Sequence, residues 1–108
     1  MKVNVGLTHR VHLISTLPVE GDFISLTIKK DILEKVNLTQ KEITDWEIKF
    51  LGDGRITWNA DKVKKIEIQF TDVETEMIKS ILTNLNNEKK LTEQSYELYD
   101  MFIANPKL

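Results

Sequence analysis

Three runs of alternating apolar and polar residues between Trp46 and Phe70 constrain the fold more than any other feature of the chain. The runs cover residues 46–51, 55–60 and 65–70. A period of two sends successive side chains to opposite faces of a strand, and a single apolar row indicates a sheet with one buried face. We therefore predict a three-stranded antiparallel meander.

The turn between the first two runs, residues 52–54, decides which residues face one another. A two-residue Asp-Gly turn would send the apolar residues of the second run into water, whereas a three-residue loop places Phe50 opposite Ile56. We predict the three-residue loop, with Gly54 at positive φ because glycine adopts that conformation without steric cost.

Both tryptophans of the chain lie in the predicted core-facing row. Trp46 and Trp58 could stack on a base or on a ligand ring. Aromatic residues at alternating positions of a half-buried sheet commonly pack in the core, and we interpret both residues in that way.

Amphipathic spacing and capping residues predict three helices before the meander. The first begins at an N-cap at Thr8 and ends before Pro18, because the residue preceding a proline is pushed out of the helical region. The second carries an apolar ridge over residues 24–36. A brief third helix begins at a capping box in residues 39–42.

Two further helices are predicted after the meander. The fourth begins at a capping box in residues 71–74, and the polar residues 84–90 are expected to contain the loop that follows it. The last begins at an N-cap at Thr92 and ends at Pro106. The residues of these two helices that we expect to face inward are Val73, Met77, Ile78, Ile81, Leu82, Leu85, Tyr96, Tyr99, Phe102 and Ile103.

The patterns together predict a single α+β domain over residues 1–108, in which helices from both ends of the chain cover the apolar face of the meander. Residues 2–7 alternate weakly, and two interpretations stay open: an edge strand, or a lead into the first helix. A strand at Val3 and Val5, or an edge of the meander, could pair with a second copy across a two-fold axis.

Composition restricts the class of protein. In 108 residues, 41% are hydrophobic, 30% are charged and none is cysteine. No apolar run approaches the roughly 20 residues that span a membrane, and no signal-peptide pattern follows Met1. A net charge of −2 gives no overall attraction to nucleic acid or anionic lipid. We expect a cytoplasmic protein without a membrane partner.

No motif predicts catalysis, a metal or a cofactor. His9 and His12 lie three apart on a predicted helix, a spacing that can hold zinc only when further ligands converge. No further ligand is evident, so we interpret the pair as a solvated helix face. We expect a protein that is not an enzyme.

Charged residues supply the candidate contact sites. Asp53 and Arg55 flank a glycine turn that can hold a small anion, although a simple hairpin turn is the favoured interpretation. Lys62, Lys64 and Lys65 form a basic rim beside the meander. Acidic residues of the last helix, Glu93 and Glu97 among them, form an acidic surface suited to a basic partner or to solubility.

Residues 17–23, 26–28, 56–59, 66–68, 90–93 and 98–99, together with a capped acidic helix, are spread over most of the chain. Their order of turns, caps and strands resembles that of a group of small uncharacterised proteins encoded by phages and prophages. The resemblance implies no active residue. It implies an accessory protein that acts by binding, as inhibitors of host defence systems do.

The leading hypothesis is therefore a non-enzymatic accessory protein that contacts a host or phage protein. A first alternative is a binder of a nucleotide-like small molecule near residues 52–55 or between two copies. A second is a winged-helix DNA regulator. Its candidate recognition helix, residues 39–46, sets Lys41 against Glu42 and Asp45, a poor match to phosphates, and we do not expect DNA binding.

Overall fold

Helices form most of the protein, and its strands pair in two separate places. The computed structural model describes residues 1–104, so Pro106, predicted to end the last helix, lies outside the described residues. In chain order the elements are β1 (Lys2–Val5), α1 (Leu7–Thr16), α2 (Phe23–Val36), α3 (Gln40–Asp45), β2 (Lys49–Phe50), β3 (Ile56–Thr57), β4 (Ile66–Gln69), α4 (Asp72–Asn87), α5 (Glu93–Tyr99) and a π-helical turn (Asp100–Ala104). The predicted α+β class is confirmed.

Strand β4 pairs with β1 and not with β3, so the predicted three-stranded meander does not form. The weakly alternating residues at the start of the chain are a strand, antiparallel to β4, with Val3 opposite Ile68 and Val5 opposite Ile66. Both valines are buried, and they extend the apolar row of β4. Alternation shows which face of a strand is buried but not which strand lies beside it, and the pattern therefore could not choose between β3 and β1.

The β2–β3 hairpin has the predicted register. Phe50 lies opposite Ile56, and the backbone N–H of Leu51 donates to the carbonyl of Arg55 at 2.8 Å. The three-residue loop is closed by Gly54 at a φ of +85°, as predicted. The apolar row is nevertheless not covered throughout, because 65% of Phe50 is exposed.

The first strand is shorter than residues 46–51. Trp46 is the C-cap of α3, and Glu47 adopts a left-handed conformation with a φ of +54°, so regular pairing begins only at Lys49. The Glu47 side chain accepts a hydrogen bond of 2.6 Å from the Asn59 amide, which holds the two ends of the hairpin together. A bend of this kind interrupts a strand without disturbing the alternation of side chains in the sequence.

Two hydrophobic clusters share the core. The larger lies between the β1–β4 sheet and helices α1, α2, α4 and α5, with the π-helical turn. Its buried members are Val3, Val5, Leu13, Leu17, Ile32, Val36, Ile68, Phe70, Ile78, Leu82, Leu98 and Phe102. The smaller contains Leu7, Trp46 and Ile48. The prediction that both tryptophans are buried is right for Trp46, at 8% exposed, and wrong for Trp58, at 37% exposed.

The helix boundaries follow side-chain caps. Thr39, Thr71 and Thr92 accept backbone hydrogen bonds as predicted. Helix α1, in contrast, begins two residues earlier than an N-cap at Thr8 would place it. Gly6 is its N-cap, and the backbone N–H of Gly6 donates to Nδ1 of His9 at 3.2 Å. The imidazole thus takes the place that a glutamate side chain fills in a capping box.

Two residues of the last two helices differ from the prediction. Val73 and Tyr96, expected to face inward, are 57% and 63% exposed. The apolar stripe predicted on α4 is centred on two of its members, Ile78 and Leu82, which are buried. Helix α4 continues to Asn87, and the loop predicted within residues 84–90 follows it.

Replacing Gly54 by alanine is expected to destabilise the protein by about 1 kcal/mol, since alanine at positive φ places Cβ against the following carbonyl. Apart from Gly54 itself and its two chain neighbours, no heavy atom of the described residues lies within 4 Å of the added Cβ, so the cost comes from the backbone conformation alone. The measurement is the free energy of unfolding in urea.

Gly52→Ala in the same loop is the matched control. Gly52 has no positive φ, and its Cβ position is equally open, so the free energy of unfolding is expected to change by less than about 0.5 kcal/mol. Equal losses for the two variants would contradict the left-handed turn.

Candidate functional site

A cleft of about 740 Å³ lies between β1 and α5. Its lining includes four consecutive residues, Met1 to Asn4, so that both faces of β1 contribute to it. Lys65 and Glu67 line it from the strand β4 side, and Tyr96 from α5. The cleft therefore borders the start of the chain, residues 1–4, and is closed on its other side by α5.

His9 forms one wall of this cleft, and both of its ring nitrogens are engaged. Nδ1 accepts the N–H of Gly6, and Nε2 lies 3.0 Å from the carboxylate of Glu97 on α5. Since Nδ1 is an acceptor, the proton of the neutral ring lies on Nε2 and is donated to Glu97. No lone pair of the ring is left to act as a base, so the geometry ties α1 to α5 and does not assemble a nucleophile.

Within the described residues, His9 and His12 have no further ligand placed to complete a metal site. His12 is half-buried on the same helix as His9. Among residues 1–104, no group of three or more histidine, aspartate or glutamate side chains is placed to hold a metal ion.

The structure distributes the seven charged residues singled out in the sequence over four places. Lys65 and Glu97 both line the cleft. Asp53 and Arg55 bind one another at the hairpin tip, with Nε of Arg55 2.6 Å from the carboxylate. Glu93 lies exposed in the first turn of α5. That these residues contact a partner stays a prediction.

The remaining two, Lys62 and Lys64, line a shallow depression of about 560 Å³ beside Trp46. Its acidic residues include Asp45 and Asp61, so the depression carries both signs of charge. Lys62 also lies 3.5 Å from the carboxylate of Glu47. The basic rim predicted from the sequence is therefore interleaved with carboxylates, which weakens its attraction for phosphate.

A buried arginine, which the sequence pattern did not reveal, joins three elements. Arg10 is 2% exposed. It donates to the carbonyls of Val36 (2.9 Å) and Asn37 (2.7 Å), and to both carboxylate oxygens of Glu42 at 2.8 Å. Its guanidinium also lies 5.9 Å from the centre of the Trp46 ring. Arg10 thus satisfies the C-terminal carbonyls of α2 while binding α3.

The hydrogen bonds from Arg10 hold the pKa of Glu42 below its ordinary value. The Thr39 N–H lowers this pKa further, and burial opposes both effects.

The sequence signal that could have revealed the ion pair of Arg10 and Glu42 is the helical spacing of Arg10. Arg10 is three residues before Leu13 and seven before Leu17, on the buried face of α1, where a charge requires a partner.

A second ion pair joins α2 to the start of α4. Lys35 donates to the Glu74 carboxylate and to the carbonyl of Gln69. Burial by itself raises the pKa of Glu74, but the hydrogen bonds from Lys35 and from the N–H of Thr71 outweigh it and leave that pKa below its ordinary value. This pair covers the outer edge of β4.

Large apolar side chains are exposed in one short segment. Residues 19–26, which we call the apolar segment, contain Val19 at 90% exposed, Phe23 at 86% and Ile24 at 69%. Leu26 adds a side chain that is 38% exposed. Single exposed apolar residues are ordinary on protein surfaces, but four within eight positions are typical of a contact surface.

The chain was compared with protein-family models, with curated proteins and with solved structures, and no match was found. Within residues 1–104, no helix has both the length and the hydrophobicity needed to cross a membrane.

Glu42→Gln is expected to lower the free energy of unfolding by about 3 kcal/mol, because it leaves the buried guanidinium of Arg10 without its counter-charge. Glutamine retains the size and the capping oxygen of glutamate but exchanges one acceptor of Arg10 for an amide donor, so the loss reports on the carboxylate–guanidinium pair. The control is Glu34→Gln on the exposed face of α2, expected to change stability by less than about 0.5 kcal/mol. Urea titration measures both, and equal values would contradict a structural role for the pair.

Acid is expected to unfold the protein through Glu42 and Glu74. Each has a folded-state pKa below the ordinary value of 4.5. The stabilisation is therefore complete above that value and is lost as the pH falls below it through the folded-state pKa. The free energy of unfolding, measured between pH 7 and pH 3, should fall most steeply at the acid end. Glu42→Gln should have a shallower slope there, and an unchanged slope would contradict the assignment.

Proposed function

We propose that the protein acts by binding another protein and that the apolar segment, residues 19–26, is the centre of the contact. The observation that carries the proposal is the exposure of Phe23, at 86%, and of Ile24, at 69%, beside Val19 at 90%. Burial of a phenylalanine or isoleucine side chain contributes about 1.5–3 kcal/mol, and such residues act as anchors where a partner offers a pocket.

The backbone under these side chains is already ordered. Phe23 and Ile24 occupy the first turn of α2, and the Asp22 side chain accepts the Ser25 N–H at 2.7 Å to cap that turn. This hydrogen bond also lowers the pKa of Asp22. Because the helix does not have to form on binding, less conformational entropy is lost in the complex.

Charges beside the apolar segment indicate the kind of partner. Two acidic residues of the segment, Glu20 and Asp22, are exposed, and they follow Val19 and precede Phe23 in the sequence. An apolar centre with carboxylates at its rim complements a surface that carries an apolar pocket and flanking lysine or arginine residues. We propose a partner with these properties.

The proposal also holds that the protein has no catalytic activity of its own. The engagement of both nitrogens of His9, at 3.2 Å and 3.0 Å, supports this for the cleft. The resemblance to phage accessory proteins supports a bacterial protein as the partner, with a component of a defence system as one class. We therefore propose bacterial lysate as the source in which the partner is sought.

The test is capture of partners from bacterial lysate by the wild-type protein and by the double variant Phe23→Ser, Ile24→Ser. Any protein that the wild type enriches should be lost with the double variant. In calorimetry, the purified partner should bind the wild type at least tenfold more tightly than it binds the double variant. Both side chains are exposed, so the urea midpoint is expected to stay within the range of surface substitutions.

Two single variants provide controls. Val73→Ser removes an apolar side chain that is 57% exposed on α4, and Phe50→Ser removes one that is 65% exposed on the hairpin. Both are expected to retain binding. Loss of the partner with Phe50→Ser, but not with the double variant, would move the contact to the hairpin, and no enrichment by the wild type would count against the proposal as a whole.

A further inference from the structure

Within residues 1–104, the backbone groups on the outer edge of β1 are unpaired. Met1 and Phe70 form a hydrogen-bonded pair, with N–H···O distances of 2.9 and 2.8 Å in the two directions. Hydrogen-bonded and non-hydrogen-bonded positions alternate along an antiparallel pair. The N–H and C=O groups of Val3 and Val5 therefore point towards β4, and those of Lys2 and Asn4 point away from it.

The opposite edge of the same sheet supports this assignment. Gln69 lies opposite Lys2, so its carbonyl points away from β1, and that carbonyl accepts a hydrogen bond from Lys35 at 2.9 Å. The edge of β4 is thus covered in part by a side chain. Along β1, Lys2 and Asn4 instead line the cleft of about 740 Å³. An added strand would lie about 4.8 Å from β1.

We propose that β1 pairs antiparallel with β1 of a second copy of the chain, about a two-fold axis that passes through Val3. The pairing forms a continuous four-stranded sheet in the order β4, β1, β1, β4. This inference is independent of the binding of another protein by the apolar segment.

The positions of the free groups select this register. With the axis at Val3, Lys2 faces Asn4 of the second copy and Asn4 faces Lys2, so two hydrogen-bonded pairs form with two bonds each. With the axis at Asn4, the second pair would need Gly6. The N–H of Gly6 already donates to His9 and its carbonyl already accepts from Arg10. With the axis at Lys2, like charges would face each other.

The same register matches side chains on both faces of the sheet. On the buried face, Val3 lies beside Val3 of the second copy and Met1 lies beside Val5, so the apolar rows of the two copies continue into one another. On the exposed face, Lys2 lies beside Asn4 of the second copy. Glu67 of the second copy lies opposite this Asn4, on β4 of that copy. Lys2 therefore has a residue of opposite charge in the same cross-strand row.

The absence of cysteine from the chain makes a register-specific test direct. Lys2→Cys and Asn4→Cys are each made in the full chain, one of them with a C-terminal tag, and oxidised alone and as a mixture. Facing residues of a hydrogen-bonded pair have Cα atoms about 5.5 Å apart, within reach of a disulfide. We expect a disulfide-linked heterodimer in the mixture, in at least tenfold greater yield than the homodimer of either variant alone.

The single variants control for random collision. Lys2 and Lys2 of the second copy are displaced by two residues along the strands, or about 8 Å between Cα atoms, which is too far for a disulfide. Both positions are exposed, so the substitutions leave the core intact. A heterodimer yield no greater than that of the homodimers would overturn the register.

A second pair of variants tests the edge without cysteine. Asn4→Pro removes an N–H that points away from β4 and so leaves the β1–β4 ladder intact, and it is expected to weaken the dimer about tenfold or more. Gln69→Pro removes an N–H on the other edge of the sheet, opposite Lys2, keeps the carbonyl that accepts from Lys35, and should leave the dimer unchanged. Light scattering across a concentration series measures both. A monomer at every concentration of wild type, or equal weakening by the two variants, would overturn the proposal.

Discussion

The buried guanidinium of Arg10 is the interaction on which the arrangement of the first half of the chain depends. A cation that is 2% exposed can persist only if every donor finds an acceptor. Arg10 finds them in the last carbonyls of α2 and in the carboxylate of Glu42. The angle at which α1 crosses α2 and the position of α3 are therefore set by one side chain, and the small cluster around Trp46 forms against it.

Local signals in the sequence were sufficient to locate the helices, except for the N-cap of α1, and to set the register of one hairpin. Threonine caps at residues 39, 71 and 92 act as predicted, and the register of Phe50 against Ile56 followed from which face must be buried. The pairing of strands that are distant in the sequence could not be predicted from such local signals. The partner of β4 depends on where β1 lies after the chain has folded back over more than 60 positions, and alternation contains no such information.

In the candidate site, too, local features could be predicted from the sequence and long-range contacts could not. The sequence identified Lys65 and Glu97 separately, as members of a basic rim and of an acidic face, and only the packing of α5 against α1 places both at one cleft. The exposed apolar segment was missed because Ile24 continues the helical ridge of Ile28, Ile32 and Val36. Periodicity assigns a residue to a face of the helix, but the first turn of α2 extends past the elements that cover the rest of that face.

The division of the core into two clusters has a consequence for spectroscopy. Trp46 belongs to the smaller cluster, and Trp58 lies on the hairpin beside it, whereas the larger cluster contains no tryptophan. These are the two tryptophans of the chain. Intrinsic fluorescence therefore reports on the environment of the hairpin and α3, while far-ultraviolet circular dichroism reports mainly on α1, α2 and α4. If the two signals change together during unfolding, the clusters behave as one cooperative unit, and if fluorescence changes first, the smaller cluster is a separate unit that opens before the rest.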